Sequence, residues 1–417
     1  MYERLAINHF KSIEHADITL GRVNVLVGTN GSGKSNIVDA LRFIRDALMF
    51  GLDRAVSDRH GIESIRQWSP TRPYQLGLEV SIREASLRGS YAFNIGSKKR
   101  QFEVARERAW MEEFERFEQF QDEDGTVDFL ARLNEITVER DSKGFVTVKN
   151  RTATTDDDPD DPDPDVENQL RNFLVRADVV PSELKIDQVD DLSLGSRVAW
   201  QVSPLRRRLT NFQAYSIYPN TLRVPQEPSN ETFLTPEGRN LATVLKRMRR
   251  TKRGLEAIAQ ITDSMRGLLP GLDRISILSV GGFLVPQFHM VEPSGRKHIF
   301  NVSQMSDGTL RVLGLLTALY QEPRPAVIAL EEPEQTVNPG ILAMVAESIK
   351  EVSHSAQVLL TTHSPELLDQ FEPSDVIAVE MAGGKTQVGR VNEVQIGAVR
   401  DRLFSLGELL ASEGLRR

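Results

Sequence analysis

Eight residues near the start of the chain, Gly28-Thr29-Asn30-Gly31-Ser32-Gly33-Lys34-Ser35, have the types and spacing needed to hold a triphosphate. They match the pattern G-x-x-x-x-G-K-[ST] at every fixed position. Glycines let the backbone wrap an anion without Cβ clashes, and the N–H groups that open a helix turn their positive ends toward it. Lys34 is expected at the β- and γ-phosphates and Ser35 in the shell of a Mg²⁺ ion, with Asn30, Gly31, Ser32, Gly33 and Asn36 completing the cradle. A glycine turn that binds nothing would share the glycines but not the flanks. Val23 to Val27 reads as a strand, and Ile37, Leu41, Ile44 and Leu48 recur on one helical face, so strand, turn and helix stand in the required order.

Phosphoryl transfer to water also needs acids at the end of a second buried strand. Ala326-Val327-Ile328-Ala329-Leu330-Glu331-Glu332 supplies them. Two carboxylates at the end of a strand buried on both faces are costly unless a cation or ligand engages them. Glu331 is expected in the Mg²⁺ shell and Glu332 on the attacking water; a plain solvated strand end is the alternative that the phosphate loop disfavours. Val358-Leu359-Leu360-Thr361-Thr362-His363 is another buried strand pattern, and His363 at its end is expected to hydrogen-bond the γ-phosphate. Ser364 lacks the G-x-S-x-G elbow of a serine hydrolase. Ser306-Asp307-Gly308-Thr309-Leu310-Arg311 precedes a helix carrying Leu313, Leu315, Leu316 and Leu319; taken alone it reads as an N-cap on Ser306 with an open backbone at Gly308.

The elements that must position these residues follow from the same patterns. Leu5 to Ile7, Ala16 to Leu20 and Val23 to Val27 read as strands, followed after the helix by Leu76 to Ile82 and Tyr91 to Ile95. A charged helix is expected over Trp110 to Phe120, strands around Ile136 to Arg140 and Phe145 to Lys149, and mainly helix over 166–270, clearest at Gly238 to Arg250 and Leu255 to Leu269. Leu272 to Val280 and Phe283 to Val291 suggest a hairpin about Gly281-Gly282, and from about residue 305 helix and strand alternate as in a parallel α/β sheet. The expected organisation is an ATPase core of 1–100 and 270–417 and an inserted lobe of 101–269.

The 417 residues carry a formal net charge of −8, of which seven charges come from the Pro-interrupted run Asp156 to Asp165, so the remainder is near neutral. That run cannot bury apolar area, and a disordered loop over 153–166 is expected. With no cysteine there is no disulfide and no thiolate zinc site, and the seven histidines lack metal spacing. No stretch approaches roughly 18 consecutive apolar residues, and the N-terminus reads directly into a strand, so no membrane partner and a cytoplasmic location are expected.

Together the phosphate loop, the L-S-D-G-T-like signature at Met305 to Thr309, the acid pair in Glu331-Glu332-Pro333-Glu334 and the switch Thr361-Thr362-His363-Ser364-Pro365 resemble the ABC-type ATPase heads of the SMC and RecF superfamily. They are most similar to the bacterial "predicted ATPase" branch, AAA and OLD-like, and the opening Leu5 to Ile13 looks like that branch's first strand and turn. The resemblance implies an α/β P-loop NTPase head with a mixed sheet and an inserted α+β, mainly helical lobe, using ATP and Mg²⁺. It also implies a head that works as a pair, in which Ser306, Asp307 and Gly308 of one copy meet the γ-phosphate held by Gly28 to Ser35 of the other. Met305 stands for the usual leucine of the signature, Thr309 for the transporters' glutamine, and Glu331 for the commoner aspartate.

Two functions of different class follow. One is an ATP-hydrolysing homodimer or higher assembly acting on or near DNA, in maintenance or antiviral defence. For DNA, Lys246 to Arg253 and Arg206-Arg207-Arg208 offer phosphate contacts, although a charge run is also an ordinary solvated helix face. The other is a slowly hydrolysing scaffold that holds and releases a separate effector protein, since the stretch after His363 is too short for the Toprim nuclease domain of OLD-type relatives. A transporter subunit fits poorly, because about 270 residues separate loop and signature, far more than that compact class requires.

Overall fold

A computed structural model describes residues 1–67, 75–98, 101–122, 125–141, 143, 145–152, 183–186, 192 and 202–417. The acidic run Asp156 to Asp165 lies outside them. The chain forms two compact units, one of Met1, Ser12–Arg42 and Asn211–Arg417, the other of Tyr2–Lys11 and Phe43–Thr210.

The first unit is built on a mixed sheet. Its strands run in the order Phe212–Tyr215, Val327–Glu331, Gln357–Thr362, Val23–Val27, Val376–Ala382, Lys385–Arg390, Ile13–Thr19. The first five are mutually parallel, Lys385–Arg390 turns back antiparallel on Val376–Ala382, and Ile13–Thr19 is parallel to Lys385–Arg390. Val23–Val27 and Gln357–Thr362 are buried at every position, which accounts for their mainly apolar residues on both faces in place of alternation. Register places Glu331 beside Thr361, and Thr362 beside Val27. The carboxyl ends of the acidic, switch and phosphate-loop strands therefore finish side by side, the place where open α/β sheets hold ligands.

Helix Asp307–Tyr320 is buried from Thr309 to Tyr320, so it is apolar all round except at its start. It packs in one core with Leu342, Val345 and Ile349 of helix Pro339–Ser353 and with Tyr215, Ile217, Leu222, Leu241, Leu245 and Ile261. Residues 211–269 thus pack with the phosphate-loop strand within the first unit. They include helices Leu241–Met248 and Lys252–Arg266, but also the strand Phe212–Tyr215 and an irregular run from Val224 to Asn240, so this stretch is less helical than expected. A three-stranded antiparallel sheet, Leu272–Val280, Phe283–Val291 and Lys297–Asn301, carries the expected hairpin; Gly281 and Gly282 both have positive φ (58° and 84°) and Val280 pairs with Phe283.

The second unit is an antiparallel succession of Tyr2–Phe10, Gln75–Glu84, Leu87–Lys98, Gln101–Asp122, Gly125–Arg140, Val146–Thr152 and Glu183–Ile186. The stretch Trp110 to Phe120, expected as a charged helix, is instead part of the long strand Gln101–Asp122, pairing with strands on both sides. Phe10, Phe43, Phe93 and Tyr91 form an aromatic file, with successive centroids 5.9, 6.2 and 5.6 Å apart.

Candidate functional site

The phosphate loop leaves the end of strand Val23–Val27 and enters helix Lys34–Phe50. Two glycines are required by space. A Cβ on Gly28 would lie 2.0 Å from the Val379 carbonyl oxygen, and one on Gly33, whose φ is +105°, would lie 2.1 Å from Thr386 Oγ1. Thr386 Oγ1 donates to the Ser32 carbonyl at 2.8 Å and also meets Ser12 Oγ at 2.6 Å, which in turn accepts from Asn36 Nδ2 at 2.7 Å. Asn36, expected in the cradle, thus serves as scaffold for it.

Ser32 is fully buried and its hydroxyl has no hydrogen-bond partner among the described residues, an orphaned polar atom inside a loop shaped for an anion. Asn30, Gly31 and Ser35 lie exposed at the mouth. Lys34 is 5% exposed, and its Nζ donates to the loop's own carbonyls, Gly28 at 2.7 Å and Thr29 at 3.0 Å. Burial pulls its pKa below the ordinary lysine value, opposed by the carboxylates of Glu332 and Glu334. A desolvated cation resting on carbonyl oxygens gains when a phosphate replaces them. Loop and lysine both fit a nucleotide.

Glu331 ends the acidic strand, where its Oε1 accepts from Arg42 Nη2 at 2.8 Å. A metal ligated by Glu331 would use the other oxygen or displace Arg42. Among the described residues no cluster of three or more His, Cys, Asp or Glu is arranged to hold a metal ion. A Mg²⁺ ion on Ser35 would therefore draw most of its ligands from phosphate and water, as this ion commonly does.

Glu332 follows in the left-handed region, with φ +46°. A non-glycine residue there costs on the order of 1–3 kcal/mol, a cost the surroundings must offset. Its N–H donates to the Thr361 carbonyl at 3.0 Å and to Thr361 Oγ1 at 3.2 Å, and its own carbonyl accepts from Arg311 Nη2 at 2.7 Å. A hydrogen bond to a charged donor contributes about 1.5–3 kcal/mol, enough to hold the turn.

The sequence reading assigned no role to Glu334, which proves to be the organiser of the site. Its Oε1 accepts from Thr362 Oγ1 at 2.8 Å and from the His363 N–H at 3.0 Å, and lies 3.3 Å from His363 Nδ1. Oε2 of the same carboxylate is buried without a partner among the described residues. Glu332 Oε1 lies 3.8 Å from His363 Nδ1. With Nδ1 turned to carboxylates, the histidine's Nε2 is the nitrogen left for a ligand. The structure thus brings Lys34, Glu332 and His363 together as one electrostatic cluster and adds Glu334.

The signature residues make their contacts elsewhere. Ser306 caps its helix, accepting from the Thr309 N–H at 3.2 Å, and Asp307 pairs with Arg223. Both are exposed. The basic runs are largely occupied: Arg206 donates to the Leu48 carbonyl, Arg208 to Glu84, Arg247 to the carbonyls of Glu231 and Thr232, and Arg249 to that of Ile275. Arg250, Lys252 and Arg253 are exposed at the turn into helix Lys252–Arg266.

A family model described as "AAA domain, putative AbiEii toxin, Type IV TA system" matches residues 23–369, from the phosphate-loop strand to just past the switch histidine. The chain belongs to this family. It is an AAA-domain protein of the nucleotide-binding ATPase type; the phosphate loop, Ser306–Gly308, Glu331, Glu332, Glu334 and His363 fall within the matched span, whereas Ser12, Val379 and Thr386, which brace the loop, lie outside it. No curated protein matches it. Among solved structures the AAA domain is similar to an SMC head bound to the C-winged helix domain of ScpA, at 16% identity over 94% of this chain and 98% of that one, TM-score 0.47. It is also similar to the SMC head domain from Thermotoga maritima (12% identity, 94% and 99% covered, TM-score 0.40). A third is an Smc head domain with an extended coiled coil bound to the C-terminal domain of ScpA, derived from Pyrococcus furiosus (15%, 96% and 99%, TM-score 0.43). Among the described residues no helix is long and apolar enough to cross a membrane.

Proposed function

We propose that this AAA-domain protein hydrolyses ATP with Mg²⁺ and that two copies close head to head on two nucleotides. The observation that carries the first half is the convergence of Lys34, Glu332, Glu334 and His363 at the ends of adjacent parallel strands. Mg²⁺, when bound beside Ser35 and Glu331, would supply further charge neutralisation. Lys34 would exchange the carbonyls of Gly28 and Thr29 for phosphate oxygens. Glu332 would hold the attacking water and take up its proton. His363, oriented by Glu334, would hydrogen-bond the γ-phosphate. Positioning and charge neutralisation carry such a transfer, with little covalent chemistry asked of the protein.

Pairing rests on one phosphate loop and one Ser306-Asp307-Gly308 per chain, with Ser306 and Asp307 exposed, so two chains would complete two pockets. Turnover of the parent, Lys34→Ala and Glu332→Gln tests the chemistry. Both variants are expected to lose at least about 100-fold in kcat, with ATP binding kept only by Glu332→Gln. Parent-like turnover by Glu332→Gln would contradict the role given to that carboxylate.

A second reading, a nucleotide-switched scaffold for a separate effector, is favoured by the family's description, which names a toxin of a type IV TA system and so a two-component arrangement. A companion protein that binds the ATP-loaded and not the ADP-loaded chain would carry it. DNA-stimulated turnover by the chain alone would favour action on DNA instead, with Arg250, Lys252 and Arg253 as the exposed cations for it.

A further inference from the structure

Arg311 is the one cation inside the otherwise apolar helix Asp307–Tyr320, and it is 2% exposed. Its guanidinium spans three carbonyl oxygens: Nη1 donates to Ile217, and Nη2 to Glu332 at 2.7 Å, with Glu331 at 3.5 Å. Burial lowers its pKa, opposed first by Glu334 and then by Tyr218 and Glu332, but a guanidinium stays charged at any working pH. A buried cation of this size is tolerated because its planar fork satisfies several acceptors at once, and two of them, the carbonyls of Glu331 and Glu332, lie where the acidic strand turns into the residue carrying the proposed hydrolytic carboxylate. A second contact joins the same two elements. A Cβ on Gly308, in the first turn of the helix, would lie 2.8 Å from the carbonyl oxygen of Thr336, another residue at positive φ (+61°) in the segment after Glu332.

The start of the signature helix and the turn Glu332–Val337 are thus joined at two points, and a side chain from that helix helps to hold the left-handed backbone of Glu332. We propose that Arg311 is a positioning residue that couples the two ATP pockets: nucleotide engaged by Ser306 and Gly308 in one pocket sets the backbone of Glu332, which serves the other. The inference rests on the paired-head reading. Within that reading, Ser306 and Glu332 of one chain face different nucleotides, so a rigid link between them carries information from pocket to pocket.

Steady-state turnover, its dependence on ATP concentration and equilibrium ATP binding are measured on the full chain and on Arg311→Lys and Arg311→Gln, with melting curves to verify folding. The parent is expected to show a Hill coefficient above 1. Both variants are expected to lose about 5- to 150-fold in kcat, the usual range of coupling between sites, and to become non-cooperative while the ATP Kd stays within about threefold. Should Arg311→Gln not fold, Arg311→Lys decides, because it keeps the charge but cannot span both the Ile217 and Glu332 carbonyls. A non-cooperative parent, variants with parent cooperativity, or equal losses in kcat and ATP affinity would overturn the coupling. Failure of the paired-head reading shows separately, as a parent that remains a single protomer when saturated with ATP.

Discussion

Glu334 touches no reacting atom in the proposed scheme and acts through His363. Glu334→Gln keeps an acceptor for Thr362 Oγ1 and the His363 N–H but removes the charge beside Nδ1. Turnover is expected to fall about tenfold or more with ATP affinity retained, as read from kcat and Kd together; loss of binding with unchanged kcat would contradict the assignment. Lys34 gives a pH dependence whose sign is fixed. Burial holds its pKa below the ordinary value of 10.5. Between the lowered value and 10.5 the unfolded chain binds a proton that the folded chain does not, so this group's contribution to stability rises with pH across that window. Phosphate binding runs the opposite way, since the cation is lost as pH rises through the lowered pKa. ATP affinity measured from about pH 7 to 10 should weaken earlier than a solvated lysine would allow, and a constant Kd over that range would contradict it. Lys34, Glu332 and His363 were legible in the sequence because each ends or follows a buried strand pattern. Glu334, Arg42 and Arg311 were not, because an acid three residues past a strand end and an arginine in a helix are ordinarily solvated. The signal for Arg311 was present as a single cation in an apolar run.

At the level of elements, the strands around the site were readable and their order was not. Val23–Val27, Val327–Glu331 and Gln357–Thr362 all carry apolar residues on both faces, as a doubly covered strand does, but nothing in Gln357–Thr362 says that it lies between the other two. Trp110 to Phe120 misleads for a definite reason. Phe114, Phe117 and Phe120 recur at three-residue spacing among glutamates that favour helix, whereas pairing along Gly125–Arg140, continued from the part of the strand paired on both sides up to Glu113, decides the outcome. The phosphate loop depends on its neighbouring hairpin as much as on itself. Gly28→Ala would drive a Cβ to 2.0 Å from the Val379 backbone, which cannot yield as a side chain would. A loss of about 1–3 kcal/mol in stability, seen as a lower melting temperature, and loss of ATP binding are expected. A variant that melts and binds like the parent would show that the strand Val376–Ala382 does not brace the loop.

On the scale of the whole molecule, the phosphate loop, acidic turn, switch histidine and signature helix all belong to one compact unit, and each chain carries one of each. In the proposed pairing that inventory would make two complete pockets, and binding energy at the phosphates would become closure between copies. The decisive measurement is the solution mass of Glu332→Gln by light scattering after size exclusion, with and without ATP and Mg²⁺. ATP is expected to double the 46.8 kDa protomer mass, and Ser306→Arg in the same background to abolish the doubling while leaving ATP bound. A nucleotide-saturated Glu332→Gln that remains at 46.8 kDa would contradict the paired head.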